Sequence, residues 1–440
     1  MVAEQRDIAA SVATQLAIRA LQRNDTEGAI RCYREALTHL TDNVDIMAQL
    51  AKVYLAADDL EHCQHMCKCI LKLDNDNERA MMMVAQIALH KNDLETASLH
   101  FRQALQRQPC NFDALYQFID VCRRRGAIGQ AEASLTAAES SSIHGKNDSG
   151  LSFCRGVFEF HCGRHNAALL ALNQARGHSV WGQKAIRYML DMCLNADNGA
   201  LDNLTDIDSN YEVEDTELMA LHTAAKLLQE LKPIEGDTMQ THLLYPSFYL
   251  MATRQKFNIE RALLELSAVS AKNAPGSREN PAIVFGMATG HLLTKQNQRA
   301  RAQLKRILKS AWTLQESDYL EKCWLLLADM FIQTGKLDVA TDLLRRVITY
   351  NRSCAKAFEY LGMILEKEQA FKEAAVNYEN AWNITNRSNN DIGLKLAHNY
   401  LKSKQYTQAI DVSQAVLSKY PDHPRIRKDI LDKAISHLRS

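Results

Sequence analysis

The chain has 440 residues, 46% hydrophobic and 24% charged, with only 7 Pro and 17 Gly; this describes a folded, helix-favouring chain, long enough for several ordinary domains or one extended array. Basic and acidic residues balance at 52 each, so no global field draws the chain to nucleic acid or to an anionic membrane, and any steering has to be local. Eleven cysteines without framework spacing, several inside apolar helical stretches, point to a reducing compartment where Cys serves as a small hydrophobe.

The opening residues MVAEQRDIAAS read as a helix start rather than a basic-plus-apolar leader. The densest apolar run, WLLLADMFI, is broken by Asp329 and is too short to span a bilayer. A soluble, unsecreted protein is expected. Ile8, Val12, Leu16, Ile18 and Leu21 give the first helix a broad apolar surface with no polar covering. The expectation is that the chain is a piece of a longer array or that this face meets a partner.

Ala29, Cys63, Ala97 and Ala131 then recur 34 residues apart, which is the period of the tetratricopeptide repeat, a pair of helices in which small residues mark the crossings. Companion slots agree: Tyr33 and Ala36, Cys67 and Ile70, Phe101 and Ala104, Leu135 and Ala138. Pro109 stops a helix where the repeat needs one to end. The run HCQHMCKC, residues 62–69, resembles a metal-ligand cluster. On a helix, however, Cys63 and Cys67 share a face that Cys69 leaves, so the two are read as core cysteines rather than zinc ligands. Arg123, Arg124 and Arg125 end a helix before Gly126, where positive charge suits the carbonyl terminus; they lack the interleaved aromatics of a nucleic-acid surface.

Past Ala131 the period loosens. The Ser-rich stretch ESSSIHGKNDSG lengthens a connection before Gly156, Ala168, Leu172 and Ala175 resume the pattern. His161, Cys162 and His165 are split by Gly163 and read as a helix junction. A helix through WGQKAIRYMLDMCL is followed by residues 195–217, which carry eight acidic residues and no Lys or Arg. This insert reads as a solvated loop. It lacks the ligand order and central Gly of an EF-hand calcium loop. The helix ELMALHTAAKLLQELK follows and Pro233 closes it.

Repeats return through Ala262, Leu266 and Val269, then Ala300, Leu304 and Ile307, and sharpen with Trp324, Leu327, Ala328, Ala340 and Leu344. Residues 355–388 form the clearest unit, with Phe358, Leu361, Gly362, Ala374, Tyr378 and Ala381 in their slots; the last unit holds Leu396, Ala397, Tyr400 and Ala409. After Pro424, RIRKDILDKAISHLRS places Ile426, Ile430, Leu431, Ala434, Ile435 and Leu438 on one face, as a solenoid cap requires. The expected fold is all-α: a tetratricopeptide-repeat solenoid, a right-handed superhelix of antiparallel helix pairs. It divides into N-terminal repeats (1–139), irregular repeats with the Ser-rich loop and the acidic insert (140–234), C-terminal repeats (235–424) and a capping helix (425–440).

Chemistry is sparse in this sequence. Neither a phosphate-cradling GxxxxGK nor HExxH nor GxSxG is present, so no catalytic residue, metal ligand or cofactor site is expected. The outward positions of the first helices are the candidates for partner binding: Lys322, Asp329, Lys356, Glu359, Glu366 and Lys367, then His398 and Lys402. The plain alternative is a solvated charged face.

The residues carry a narrower likeness as well. LMATRQK, RARAQLKRI, WLLLADMFIQTGKLDVATDLLRR, NRSCAKAFEYLGMILEKEQA and PRIRKDILDKA resemble the C-terminal region of the large tetratricopeptide subunit of intraflagellar transport complex A, the tetratricopeptide repeat protein 21 family. Gly156 through Gln174 and the triplet Trp181-Gly182-Gln183 share the likeness. The resemblance implies a non-enzymatic ciliary scaffold, active in retrograde transport, cilium assembly and the entry of membrane-protein cargo. Its partners would be other subunits of that complex and cargo held through adaptors, with no nucleic acid and no direct membrane insertion; its place would be the cytoplasm and the cilium. A rival is a co-chaperone or adaptor that grips the C-terminal peptide of another protein. That reading needs basic and amide residues in the groove, where Glu359 and Glu366 would place negative charge.

Overall fold

The computed structural model describes residues 2–23, 25–74, 76–142, 148–194, 213–232, 243–272, 279–421 and 425–439. Among them every regular element is a helix, and consecutive helices form eleven pairs followed by a short C-terminal segment. Two compact units are present, Met1–Arg125 with Gly129–Lys146, and Gly126–Ile128 with Asn147–Ser440. Part of the acidic insert, 195–212, lies outside the described residues, as do Pro233 and positions 143–147 of the Ser-rich stretch. The helix after the insert begins at Val213, earlier than the apolar pattern suggests, so residues 213–217 of the insert belong to a helix.

Several pairs are held by a small residue on the first helix facing a side chain on the second. In the second unit a Cβ added to Gly362 would stand 2.9 Å from the Tyr378 ring, and one added to Gly156 would meet the Leu172 side chain at 2.6 Å. Contacts that short do not exist in packed interiors, so only glycine lets those helices cross where they do. In the first unit Ala17 and Tyr33, Ala51 and Cys67, and Ala85 and Phe101 fill the same two slots, all buried. The marker positions Ala29, Cys63, Ala97, Ala131, Ala340, Ala374, Ala381 and Ala409 are each 0% exposed.

Helix starts repeat as regularly as the core. Asn43, Asn77 and Asn111 cap the first helices, and Asp25, Asp59 and Asp93 the second, each side chain accepting from the amide three residues on. Both sets recur at the repeat period. Inside the pairs the turn is equally uniform: its middle residue is left-handed, at Asp58, Asn92, Gly126, Gly163, Arg254, Lys295, Gly335, Gln369 and Lys404. The amide of that residue and the next donate back to the end of the first helix, as Asp58 to Leu55 and Asp59 to Tyr54. Only three of the nine are glycine, so the motif is poorly marked in the sequence.

Two irregular joints have specific fillings. The long step between Ala300 and Ala340 contains Trp312, which stacks on Tyr350 at 4.6 Å and 2°. Gly182 follows because a side chain there would collide with the carbonyl of Arg176. Its neighbour Trp181 stacks on Phe153 at 5.0 Å, and Gln183 accepts from the Lys232 amide at 2.7 Å, fastening the end of the Val213–Glu230 helix.

The two ends of the chain differ. Ala10, Ala13 and Ala17 are buried in the first helix, whereas Ile8, Val12, Leu16 and Ile18 are 46–64% exposed. At the other end Ile426, Ile430 and Ala434 are buried against Leu396, Ala397, Tyr400 and Val416. The expected single face is only partly realised: Ile426–Leu431 is a π-helix followed by the α-helix Asp432–Arg439, and Leu438 is half exposed. The wider π turn rotates later residues off the α-helical register.

Gly362 and Gly335 test different physics. Gly362→Leu should destabilise its pair by about 3 kcal/mol through overpacking. At Gly335, where φ is +73° and nothing lies within 4 Å of an added Cβ, Gly335→Ala should cost about 1 kcal/mol from backbone strain alone. Amide exchange across residues 317–402 reads both, and equal effects would refute the distinction. The cysteines give a second test. Cys110 is exposed, whereas Cys63, Cys67, Cys154 and Cys323 are buried, as is Cys122, whose thiol burial pushes up to about 12. Iodoacetamide on the native protein should modify Cys110 well before Cys122 by mass spectrometry.

Candidate protein-interaction cleft

The eight outward positions do not form one continuous groove. Lys322 lies half-buried with its ammonium 5.4 Å from the Tyr319 ring centre and 6.0 Å from that of Phe285. Asp329 accepts from Gln333 on the same helix at 2.9 Å, and Lys367 is exposed. Lys356 sits 5.3 Å from the Tyr360 ring centre and 3.4 Å from Glu359.

Glu359 overturns the expectation set for it. The residue is 8% exposed, and Lys395 from the following repeat donates to its carboxylate at 2.7 Å. A carboxylate so far from water needs partners, and the two lysines supply them. Glu366 is likewise engaged, accepting from the Tyr378 hydroxyl at 3.0 Å and from the Asn399 amide at 3.4 Å. Burial, with Glu366 alongside, holds the Tyr378 phenol well above its ordinary value, so it stays the donor. These acids join repeats together, and neither is a free negative charge awaiting a partner.

Glu366, His398 and Lys402 do come together, in a cleft of about 680 Å³ between the helices Ala355–Lys367 and Asn390–Lys402, the turn after them and the C-terminal segment. Its apolar surface is Leu394, Leu401, Tyr406 and Ile430. Its cations are Lys395, Lys402, Lys404, Arg425 and Lys433, against two carboxylates, Glu366 and Asp429. Lys395 is neutralised by Glu359, and Lys433 lies 3.8 Å from Asp429. Among the described residues Lys402, Lys404 and Arg425 have no carboxylate partner. His437 closes one side by stacking on Tyr406 at 5.3 Å.

Sequence reasoning missed most of this lining. Arg425, Asp429, Lys433 and His437 recur every four residues, a stripe visible in the chain. Nothing in that stripe says which repeat it will face. Lys404 is placed by the left-handed turn and Lys395 by its bond to Glu359.

Elsewhere, HCQHMCKC divides as its helix geometry demands. Cys63 and Cys67 are 0% exposed, and the hydrogen bond that the Cys67 thiol donates to Cys63, together with burial, pushes the Cys67 thiol up. His62 turns outward to Asp59 at 2.9 Å and stacks on Tyr54. The arginine run is internal as well: Arg123 and Arg124 clasp Asp120 at 2.6 and 3.0 Å, and Arg125 reaches Glu95 on another helix at 2.6 Å. Among the described residues no three His, Cys, Asp or Glu side chains gather around a common point, and no helix is long and apolar enough to cross a membrane.

Removing Lys395 should therefore act on stability. Lys395→Met leaves Glu359 with Lys356 alone and should destabilise the last two repeats by about 2 kcal/mol, below a fully buried pair because the Lys395 side chain is partly exposed. Adding Glu359→Met should recover much of that loss. Urea melts that left both variants equal to the parent would show the pair to be inert.

Comparison with known proteins agrees with this architecture. The family model described as the tetratricopeptide repeat protein 21 C-terminal ARM domain matches residues 223–435, and that described as the TT21 fifth ARM repeats domain matches 78–194. A general tetratricopeptide repeat matches 20–87. Tetratricopeptide repeat protein 21B of Homo sapiens is 42% identical over 447 residues, covering 100% of this chain and 33% of its own length. Protein 21A of Mus musculus is 38% identical over 445 residues, covering 100% of this chain and 34% of its own. The Caenorhabditis elegans homolog is 33% identical over 425 residues, 95% of this chain and 32% of its own. The chain thus spans about a third of the length of these curated relatives. From the repeated crossings of small and large residues to the matched domains, this is a tetratricopeptide-repeat scaffold, and the chain belongs to the tetratricopeptide repeat protein 21 family.

Proposed function

We propose that the chain acts as a non-enzymatic scaffold within intraflagellar transport complex A, serving retrograde ciliary transport, cilium assembly and the entry of membrane-protein cargo into the cilium. Family membership supports this reading, together with the likeness of residues 240–440 to the large repeat subunit of that complex. The physics of the array is consistent with it. Stacked helix pairs expose long rows of side chains while most contacts run between adjacent pairs, so separate stretches can hold separate partners. Other subunits of the complex are the direct partners, and membrane cargo is held through adaptors rather than by insertion into lipid. The working places are the cytoplasm, the ciliary base and the axoneme.

Affinity capture of the tagged chain from ciliated cells, read by mass spectrometry, tests the proposal. Co-purification of other transport-complex subunits and a ciliary signal from a fluorescent fusion are expected. Recovery of chaperones alone, with a uniformly cytosolic fusion, would overturn it.

A further inference from the structure

We infer that the cleft between the last repeat and the C-terminal segment is a binding site for an acidic, leucine-bearing segment of another polypeptide. The inference does not depend on the transport reading. Three observations lead to it. The lining carries five cations against two carboxylates, and both carboxylates are already engaged, Glu366 by Tyr378 and Asn399 and Asp429 by Lys433. Lys402, Lys404 and Arg425 are exposed, with no carboxylate partner among the described residues, so the unsatisfied charge of the cleft is positive.

The floor narrows the occupant further. Leu394, Leu401 and Tyr406, each half-buried, form an apolar strip in the cleft; Ile430, which also lines it, is already buried. A bare phosphate or a free carboxylate would leave that strip uncovered, whereas a segment alternating acidic and apolar side chains satisfies both layers. The volume of about 680 Å³ suits a few residues of peptide and falls in the range of ordinary ligand clefts. The rigidity of the walls also favours recognition. Glu359 ties Lys395 to the preceding repeat, and Ile426, Ile430 and Ala434 anchor the C-terminal segment in the core, so the cationic side chains project from a preformed surface.

The site and its occupant can be tested on the whole chain by fluorescence anisotropy. The probe is a fluorescein-labelled heptapeptide alternating glutamate and leucine, compared with the same peptide carrying glutamine. Saturable, salt-sensitive binding of the acidic probe alone is expected. Lys402→Glu combined with Arg425→Glu should weaken it by about tenfold or more, while the same charge change at Lys305→Glu with Lys309→Glu should leave it unaltered. Circular dichroism confirms that both variants keep their helices. Equal binding of the glutamine peptide, no binding, or equal loss in both variants would overturn the inference. Two further arms identify rival occupants. Binding that appears only after residues 195–217 are deleted would assign the cleft to this chain's own acidic stretch. Sedimentation with phosphatidylserine vesicles but no peptide binding would assign it to a lipid surface. Either result refutes the inferred partner.

Discussion

The close crossing of two helices within each pair is the constraint on which everything else rests. Gly362 against Tyr378 and Gly156 against Leu172 show it in its tightest form, and alanine performs the same role where the opposing side chain can retreat slightly. With the crossing fixed, the second helix must present its next small residue, such as Ala374 or Ala381, to the following pair. The period of the array is thus a consequence of packing, and the sequence repeats because the same steric problem recurs.

Connections obey a second rule. A left-handed residue in nine of the described turns inside pairs lets the chain reverse within three residues while its own amide and the next find carbonyl partners. Asn and Asp caps then start the next helices in the first unit, but in the second unit the residues before the second helices (Arg164, Gln296, Lys336, Ala370 and Gln405) make no side-chain cap. First helices of the second unit keep such caps at Asp148, Asn280 and Asn389. Aromatic side chains add packing there, with Trp312 on Tyr350, Trp181 on Phe153 and a fully buried Trp324.

Charge is used for joining before it is used for display. Glu359, Glu366, Asp120 and Glu321 all look like surface acids in the linear sequence. Glu359 bonds to Lys395 and Lys356, Glu366 to Tyr378 and Asn399, Asp120 to Arg123 and Arg124, and Glu321 to the Asn351 amide. A charge that is half removed from water is stable only with such partners; Asp120 finds them on its own helix, whereas Glu359, Glu366 and Glu321 find them across helices and rivet the array. Once they are accounted for, the positive excess of the C-terminal cleft stands out.

What the sequence by itself determined was whatever repeats: the all-α class, the small marker residues, the burial of Cys63 and Cys67, and the amphipathic end, because each depends on contacts within a pair or between adjacent pairs. The caps at Asn43, Asn77 and Asn111 share that period but were not singled out in the chain beside the core alanines. Tertiary structure alone decided the rest. The π turn at Ile426–Leu431 sets which face of the last helix is buried, the pairing across repeats turns Glu359 inward, and Asn386 donates to the carbonyl of Cys162, 224 residues away, at 3.3 Å. The physical reasons differ. The first is a local change of turn, the second a side-chain partner 36 residues on that no pattern marks, and the third depends on how small rotations accumulate from helix to helix; no single residue or spacing in the chain encodes any of them.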